Sequence, residues 1–244
     1  MTSKTTLLLA GLLAAWIASC NSGIERTSYR GGNDYFPLLE GRVLSYRQTI
    51  EGETKDYTMS LHYIGGRAWK VYEAKIEGLA FGGLEFNSNG VVVEATSQFS
   101  YTSLEPRDEV SAFRQVWLDP GAREDSLWYD AAPGTESVFA GYQSVTVPAG
   151  SFENCMMIIA TPVAEIKDSI EARHARGKSS DVLYQKELEV WNWSTVRWFA
   201  QGVGLVKEEI GPPGGVSIRR ELLAVTSEGH GLVDSLHLPN TDEE

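Results

Sequence analysis

The two cysteines of this chain have the most distinctive chemistry in it, and they stand in different surroundings. Cys20 follows a basic residue, Lys4, an apolar run over 7–17 and two small residues. This order is typical of an export signal, and the apolar run is too short to serve as a membrane-spanning helix in the mature protein. Cys155 lies in an apolar run in mid-chain. We predict that Cys155 is a buried strand residue, with a reactive thiol as the alternative.

The residues Ile17-Ala18-Ser19-Cys20 consist of one aliphatic residue, two small residues and a cysteine. They match the lipobox of bacterial lipoproteins. Resemblance to that class implies that the Cys20 sulfur receives diacylglycerol through a thioether, that the chain is cleaved after Ser19, and that the new amino terminus is acylated. Each buried CH₂ of an acyl chain contributes about 0.8 kcal/mol, so two or more chains give stable anchoring. The alternative is an ordinary secretory signal with a cysteine at this position by chance.

The residue after this cysteine is Asn21. Gram-negative lipoproteins that stay in the inner membrane usually carry Asp there, so the resemblance implies transfer to the outer membrane. Residues 20–34 are polar, rich in glycine and without periodicity. We therefore predict a signal peptide over 1–19 and a lipidated flexible tether over 20–34, which reaches about 20 Å as a coil.

The stretch 143–162 predicts the hairpin around which the fold is organised. Val145 and Val147 alternate with polar residues before Pro148-Ala149-Gly150, and an apolar run follows over 155–160. Proline fixes φ at the first turn position, and glycine accepts the positive φ that closes such a hairpin. The stretch therefore reads as strand, tight turn and strand.

The rest of the chain shows two-residue periodicity interrupted by Gly and Asn, which is typical of all-β proteins. We predict a single all-β domain over 35–225, an antiparallel meander curled into an open or half barrel, with at most one or two short helices in its loops. The finer predictions are a helix over about 168–176 within a charged connection at 163–180, strands over 182–199 and 216–225, and an acidic tail over 226–244.

Three tryptophans are candidate ligand-binding residues. Trp191 and Trp193 are two apart, so they would share one face of the predicted strand, and Trp198 lies near its end. Exposed aromatic residues of this kind can stack on a sugar or hold an acyl chain. The competing interpretation is that they pack inside the curved sheet.

Three short motifs occur in order along the chain: Tyr-Phe-Pro-Leu-x-x-Gly at 35–41, Val-Pro-Ala-Gly-x-Phe at 147–152 and Gly-Val-Gly-Leu-Val-Lys at 202–207. With them the chain resembles an uncharacterised family of bacterial envelope lipoproteins. It departs from that family in having Leu44 and Tyr46 where the first strand often carries a Trp. The resemblance implies an antiparallel sheet in an open or half barrel. It implies no reaction, because the motifs are structural.

The sequence offers no catalytic constellation. It contains no Gly-x-Ser-x-Gly, His-Glu-x-x-His, phosphate-loop or Cys-x-x-Cys motif. The histidines His62, His174, His230 and His237 are scattered, which argues against a zinc site. We predict that the protein is not an enzyme and has no catalytic residue, no metal site and no cofactor.

Charge and fold class together leave a short set of functions. The net charge is −12, and residues 1–19 hold one lysine and no acidic residue, so the remainder carries −13. A surface this acidic repels phosphate backbones and argues against nucleic acid as a partner. The expected partners are a membrane, through the N-terminal lipid, and either an apolar small molecule or an envelope protein.

Two hypotheses follow for the folded body. In the first, a curved sheet holds an apolar or amphiphilic ligand. In the second, the body is a structural or protein-interaction module of the envelope with a packed interior. A cavity of several hundred Å³ would favour the first, and a filled interior the second. Carbohydrate binding and a hydrolytic enzyme are the least favoured alternatives.

Overall fold

The structure, a computed structural model, describes residues 32–66, 70–79, 84–87, 91–95, 113–119, 122–130 and 134–227. The predicted signal peptide, most of the predicted tether and the predicted tail from residue 228 lie outside these ranges.

The described residues form fourteen strands and two helices. They are β1 (Gly32–Asn33), β2 (Phe36–Pro37), β3 (Arg42–Ile50), β4 (Glu53–Gly65), β5 (Val71–Glu77), β6 (Leu84–Asn87), β7 (Val91–Ala95), β8 (Phe113–Leu118), β9 (Leu127–Asp130), β10 (Thr135–Val147), β11 (Gly150–Pro162), α1 (Glu165–Ala175), α2 (Asp181–Val190), β12 (Ser194–Ala200), β13 (Gly204–Gly211) and β14 (Ile218–Ser227).

Strands β3 to β14 form one antiparallel sheet of twelve strands. Its order is β8-β7-β6-β5-β4-β3-β14-β13-β12-β11-β10-β9, so the sheet consists of two meanders joined where β3 pairs with β14. This confirms the prediction of an all-β antiparallel sheet with two short helices in a loop.

The two edge strands, β8 and β9, meet through side chains. The Asp130 carboxylate accepts the Val116 backbone N–H, with 3.2 Å to each oxygen. The Trp128 Nε1 donates to the Val116 carbonyl at 3.0 Å, and the Gln115 amide donates to Oγ1 of Thr135, at the start of β10, at 3.3 Å. These bonds hold the sheet in a curl and cover part of both edges, which would otherwise present unpaired backbone groups.

Buried side chains follow the two-residue period expected of a strand with one face inward. In β3 the buried residues are Arg42, Leu44, Tyr46 and Gln48, and the residues between them are partly exposed. Neighbouring strands repeat the pattern, so the inward side chains form a common core inside the curled sheet.

The register defines two ends of the sheet. At one end, Arg42 pairs with Leu61 and Ser227. We call this the proximal end, because the described chain begins there with β1 and β2. Ile50 pairs with Ile218 at the other end. We call this the helical end, because α1 and α2 connect β11 to β12 there.

The central hairpin is confirmed. Val147 pairs with Gly150 around Pro148-Ala149, and Gly150 has φ +136°. The Ala149 N–H also donates to the Leu222 carbonyl at 2.9 Å, on β14. The pairing of β14 with β3 shifts register between Leu222 and Ala224, and the pairing of β14 with β13 ends at Glu221. The turn of the hairpin is therefore tied to a strand that is not its neighbour in the sheet.

The predicted strand over 182–199 is wrong in its first half. Residues 181–190 form α2, in which the Ser180 hydroxyl caps the helix by accepting the Leu183 N–H at 3.3 Å. Helix α1 covers most of the predicted helix at 168–176 but begins earlier, at Glu165. The last strand is displaced by two residues at each end from the predicted 216–225. No helix among the described residues is both long and apolar enough to cross a membrane.

The two helices pack against each other through a small set of polar and aromatic contacts. The His174 and Tyr184 rings are stacked with their centroids 4.0 Å apart. Arg173 forms an ion pair with Glu187. Tyr184 thus packs against α1. In the sequence, the apolar and aromatic residues at the start of α2 resemble those of a strand, which explains the wrong prediction.

Candidate functional site

The three candidate tryptophans do not form one surface. Trp191 is the C-cap residue of α2, and Trp193 follows in the turn, where its backbone N–H donates to the Val190 carbonyl at 3.1 Å. Both side chains are partly exposed, and Lys167 Nζ lies 5.8 Å from the Trp191 ring centroid. The expectation that these two residues share one face of a strand is wrong, because the chain turns between helix and strand at this point.

Trp198 is built into the fold on β12. It is 8% exposed, and its Nε1 donates to Gln143 Oε1 at 3.0 Å. Lys207 Nζ lies 4.9 Å from its ring centroid on the neighbouring strand. The tryptophan therefore has its polar group satisfied and its ring covered. A ligand-binding role for Trp191, Trp193 and Trp198 stays a prediction.

The unexpected feature of the interior is a layer of buried charge across β12, β13 and β14. Register places Arg197 opposite Glu208, and Glu208 opposite Arg220. Arg197 Nε donates to Glu208 Oε1 at 2.8 Å, and Arg220 Nη1 donates to Glu208 Oε2. All three residues are at most 4% exposed. Two guanidinium groups thus share one carboxylate, and the trio carries a formal charge of +1.

Two amide side chains extend this layer on either side. Gln48 Oε1 accepts from Arg220 Nε at 2.8 Å, and Gln115 Oε1 accepts from Arg197 Nη2 at 3.3 Å. The Arg197 guanidinium carbon also lies 4.5 Å from the Trp117 ring centroid, within the range of a cation–π contact. These contacts link β3 and β8 to the three charged strands.

The shared carboxylate is held in its ionised form. Burial alone would raise the pKa of Glu208, but the charges of Arg220 and Arg197 and their hydrogen bonds outweigh it and hold the pKa below its ordinary value of 4.5. A carboxylate fixed between two guanidinium groups is a poor proton donor or acceptor for catalysis at neutral pH. The layer is therefore best explained as a structural element.

A cavity of about 30 Å³ lies beside the charged layer. Its lining includes Tyr46, Tyr57, Trp117 and Arg220. A space of this size holds about one water molecule. Burial raises the pKa of Tyr57 strongly, as expected for a phenol enclosed by the sheet. The described interior around the charged layer is thus occupied by protein side chains.

The remaining candidate groups are placed as follows. Cys155 is fully buried, its Sγ lies 3.5 Å from the Phe152 carbonyl, and burial raises the pKa of the thiol to about 11. It is therefore a buried strand residue, as predicted. In the part of the chain that the structure describes, no group of three or more His, Cys, Asp or Glu side chains could hold a metal ion.

Two of the three sequence motifs meet at the proximal end, together with the residues beside them in the chain. The Gly202 N–H donates to the Asp34 carbonyl at 2.7 Å. Arg42 Nη2 donates to the carbonyls of Gly202 and Val203 at 2.9 and 2.7 Å. The ring of Phe36, in the first motif, is packed between strands with its centroid 6.0 Å from that of Phe199. The contacts between these motifs are aromatic packing and hydrogen bonds to backbone carbonyls. They are structural contacts that cover the core at the proximal end.

We predict that Gly204→Ala destabilises this contact. Gly204 has φ +108°, and a Cβ there would lie 3.3 Å from Phe36 Cδ2. Backbone strain and crowding together should lower the free energy of unfolding by about 1–3 kcal/mol, measured by urea denaturation. Gly214→Ala is the matched control, because Gly214 has φ +78° with nothing within 4 Å of its Cβ position. Equal losses in both variants would contradict the proposed Phe36 contact.

No protein-family model and no curated protein matches the chain. Solved structures do resemble it. A candidate lipoprotein from Parabacteroides distasonis aligns with a TM-score of 0.50 and 15% identity, over 80% of this chain and 99% of that one. A candidate exported protein with a YmcC-like fold from Bacteroides fragilis aligns with a TM-score of 0.46 and 11% identity, over 79% and 98%. At 15% identity the first likeness shows a shared fold. The resemblance to envelope lipoproteins on the three motifs stays a prediction.

Proposed function

We propose that the protein is a lipid-anchored module of the bacterial envelope that acts without catalysis, by presenting its folded body to a protein partner. The proposed anchor is Cys20 within the lipobox 17–20, and Asn21 supports an outer-membrane location. The shared fold with a candidate lipoprotein is compatible with this proposal but carries no information on activity.

The observation that favours the packed module over the carrier is the small volume of the cavity beside the charged layer. A site that encloses a drug-sized or larger apolar ligand occupies about 300–1,000 Å³. The cavity beside the charged layer measures about 30 Å³. Large side chains such as Tyr46, Trp117 and Arg197 are at most 2% exposed inside the curled sheet. This supports a packed interaction module over a ligand carrier.

Native mass spectrometry of the full chain, extracted from membranes in mild detergent, tests this choice. We expect the protein to carry no non-covalent amphiphile, because the cavity beside the charged layer, at about 30 Å³, is too small for one. A lipid retained in stoichiometric amount would contradict the packed module and favour the carrier. In that event Trp191→Ala and Trp193→Ala would show whether the predicted tryptophans hold the lipid, with Tyr129→Ala, at an exposed aromatic residue of the sheet edge, as the control.

A further inference from the structure

Several apolar side chains at the proximal end are exposed. Tyr63 is 49% exposed, Ile64 53% and Leu39 38%. Tyr142, which is 51% exposed, lies in the middle of β10 and adjoins this group through the Tyr35 ring. We call these four residues the proximal patch. Large apolar side chains grouped at one end of an acidic protein mark a surface that meets a partner or a lipid phase.

Contacts among its neighbours show that the patch is held by the first motif. Residues 35–41 cross the proximal end, with Leu39 accepting the Arg42 N–H at 3.2 Å. On one side the Tyr63 N–H donates to the Glu40 carboxylate. On the other side the Tyr35 and Tyr142 ring centroids are 6.1 Å apart. The patch is therefore presented by a fixed segment of the fold.

The end of the sheet that carries the patch is also the end at which the described part of the chain begins. The described chain begins there, at Gly32, twelve residues after Cys20. If the predicted tether is a coil, a segment of that length spans about 20 Å, so the proposed anchor would hold the proximal end within about that distance of the lipid surface. Tethering at this distance raises the effective concentration of the surface to the millimolar range, so even weak contacts form.

We propose that the proximal patch rests on the bilayer to which the chain is anchored, with its tyrosines and aliphatic side chains at the headgroup boundary. This inference rests on the lipid anchor of the proposed function. Tyrosine suits such a boundary because its ring is apolar and its hydroxyl is polar. The net charge is −12, and removal of residues 1–19, which hold one lysine and no acidic residue, leaves −13. Charge therefore does not attract the mature chain to anionic lipid. Apolar contact is left as the cause of docking.

Docking of this kind fixes the orientation of the body. Strand β3 runs from the proximal end to the helical end over nine residues, a distance of about 25 Å along the strand. Docking through the patch holds α1 and α2 on the side away from the lipid, where a protein partner can reach them. The patch would thus give the body a fixed orientation at the end of the predicted tether.

The test uses the full lipidated chain in vesicles of phosphatidylethanolamine and phosphatidylglycerol that contain a nitroxide-labelled lipid. A fluorophore is attached through Lys70→Cys at the proximal end or through Glu53→Cys at the helical end, two exposed positions outside the patch. The buried Cys155 is not labelled. We expect severalfold stronger quenching at position 70, because interfacial groups lie within the headgroup region. Equal quenching at the two positions would overturn the proposal.

The triple variant Leu39→Ser, Tyr63→Ser and Ile64→Ser separates docking from simple proximity. It should reduce quenching at position 70 to the level at position 53, whereas Val182→Ser with Leu183→Ser at the helical end should leave it unchanged. Unchanged quenching in the triple variant would overturn docking through the patch. A chain that does not float with the vesicles would instead show that the lipid anchor itself is absent. Equal thermal unfolding midpoints check that the variants are folded.

Discussion

Replacing Glu208 with alanine is expected to lower the free energy of unfolding by about 3–5 kcal/mol, because it leaves the buried Arg197 and Arg220 without the carboxylate that they share. Glu208→Gln should lose less, since an amide oxygen can still accept a hydrogen bond. Urea denaturation, monitored by circular dichroism, measures the free energy of unfolding of both variants. Asp56→Ala is the control, because the Asp56 and Arg47 side chains are about half exposed and their ion pair is screened by solvent. A Glu208→Ala variant as stable as the control would show that the charged layer does not stabilise the fold.

The same carboxylate should make stability depend on pH. The pKa of Glu208 is lower in the folded chain than its ordinary value of 4.5, so the folded state favours the ionised form. The stabilisation is complete above the ordinary value and is lost as pH falls through the folded pKa. The difference in stability between the native chain and Glu208→Gln should therefore shrink in acid. A difference that does not change between neutral and acid pH would contradict the lowered pKa.

The parts of the fold that could be predicted are those in which neighbouring residues determine the conformation. Pro148 and Gly150 have restricted and permissive backbones, respectively, so the hairpin turn is visible in a few residues. The strands can be predicted because side chains two residues apart lie on the same face, so one buried face makes every second residue apolar. Helix α2 is not evident from its own residues, because its conformation depends on the cap at Ser180 and on contacts with α1, such as the ring stack between His174 and Tyr184.

The charged layer could not be predicted because its members are far apart in sequence. Arg197 and Glu208 are paired across a hairpin with an irregular register, and Gln115 reaches Arg197 from the opposite edge of the sheet. A charged residue within a strand reads as solvent-facing unless the register is known. The one available signal was that Arg197 stands between apolar residues of a strand, where an exposed position is unusual.

Replacing Cys20 with serine is expected to abolish lipid anchoring. A hydroxyl cannot form the thioether to diacylglycerol, so neither lipidation nor cleavage after Ser19 should follow. After cell lysis, the native chain should be recovered in the outer-membrane fraction. The mature form of the variant should be absent from that fraction. Cys155→Ser is the matched control, because that thiol is buried and takes no part in the anchor. Unchanged fractionation of the Cys20→Ser variant would contradict the proposed anchor.

The intact mass of the mature chain recovered from membranes tests lipidation and cleavage at Cys20 most directly. We predict a polypeptide that begins at Cys20 and carries a covalent diacylglyceryl group and an amino-terminal acyl chain, with no further lipid bound. A chain that begins elsewhere, or that begins at Cys20 without covalent lipid, would contradict the central claim.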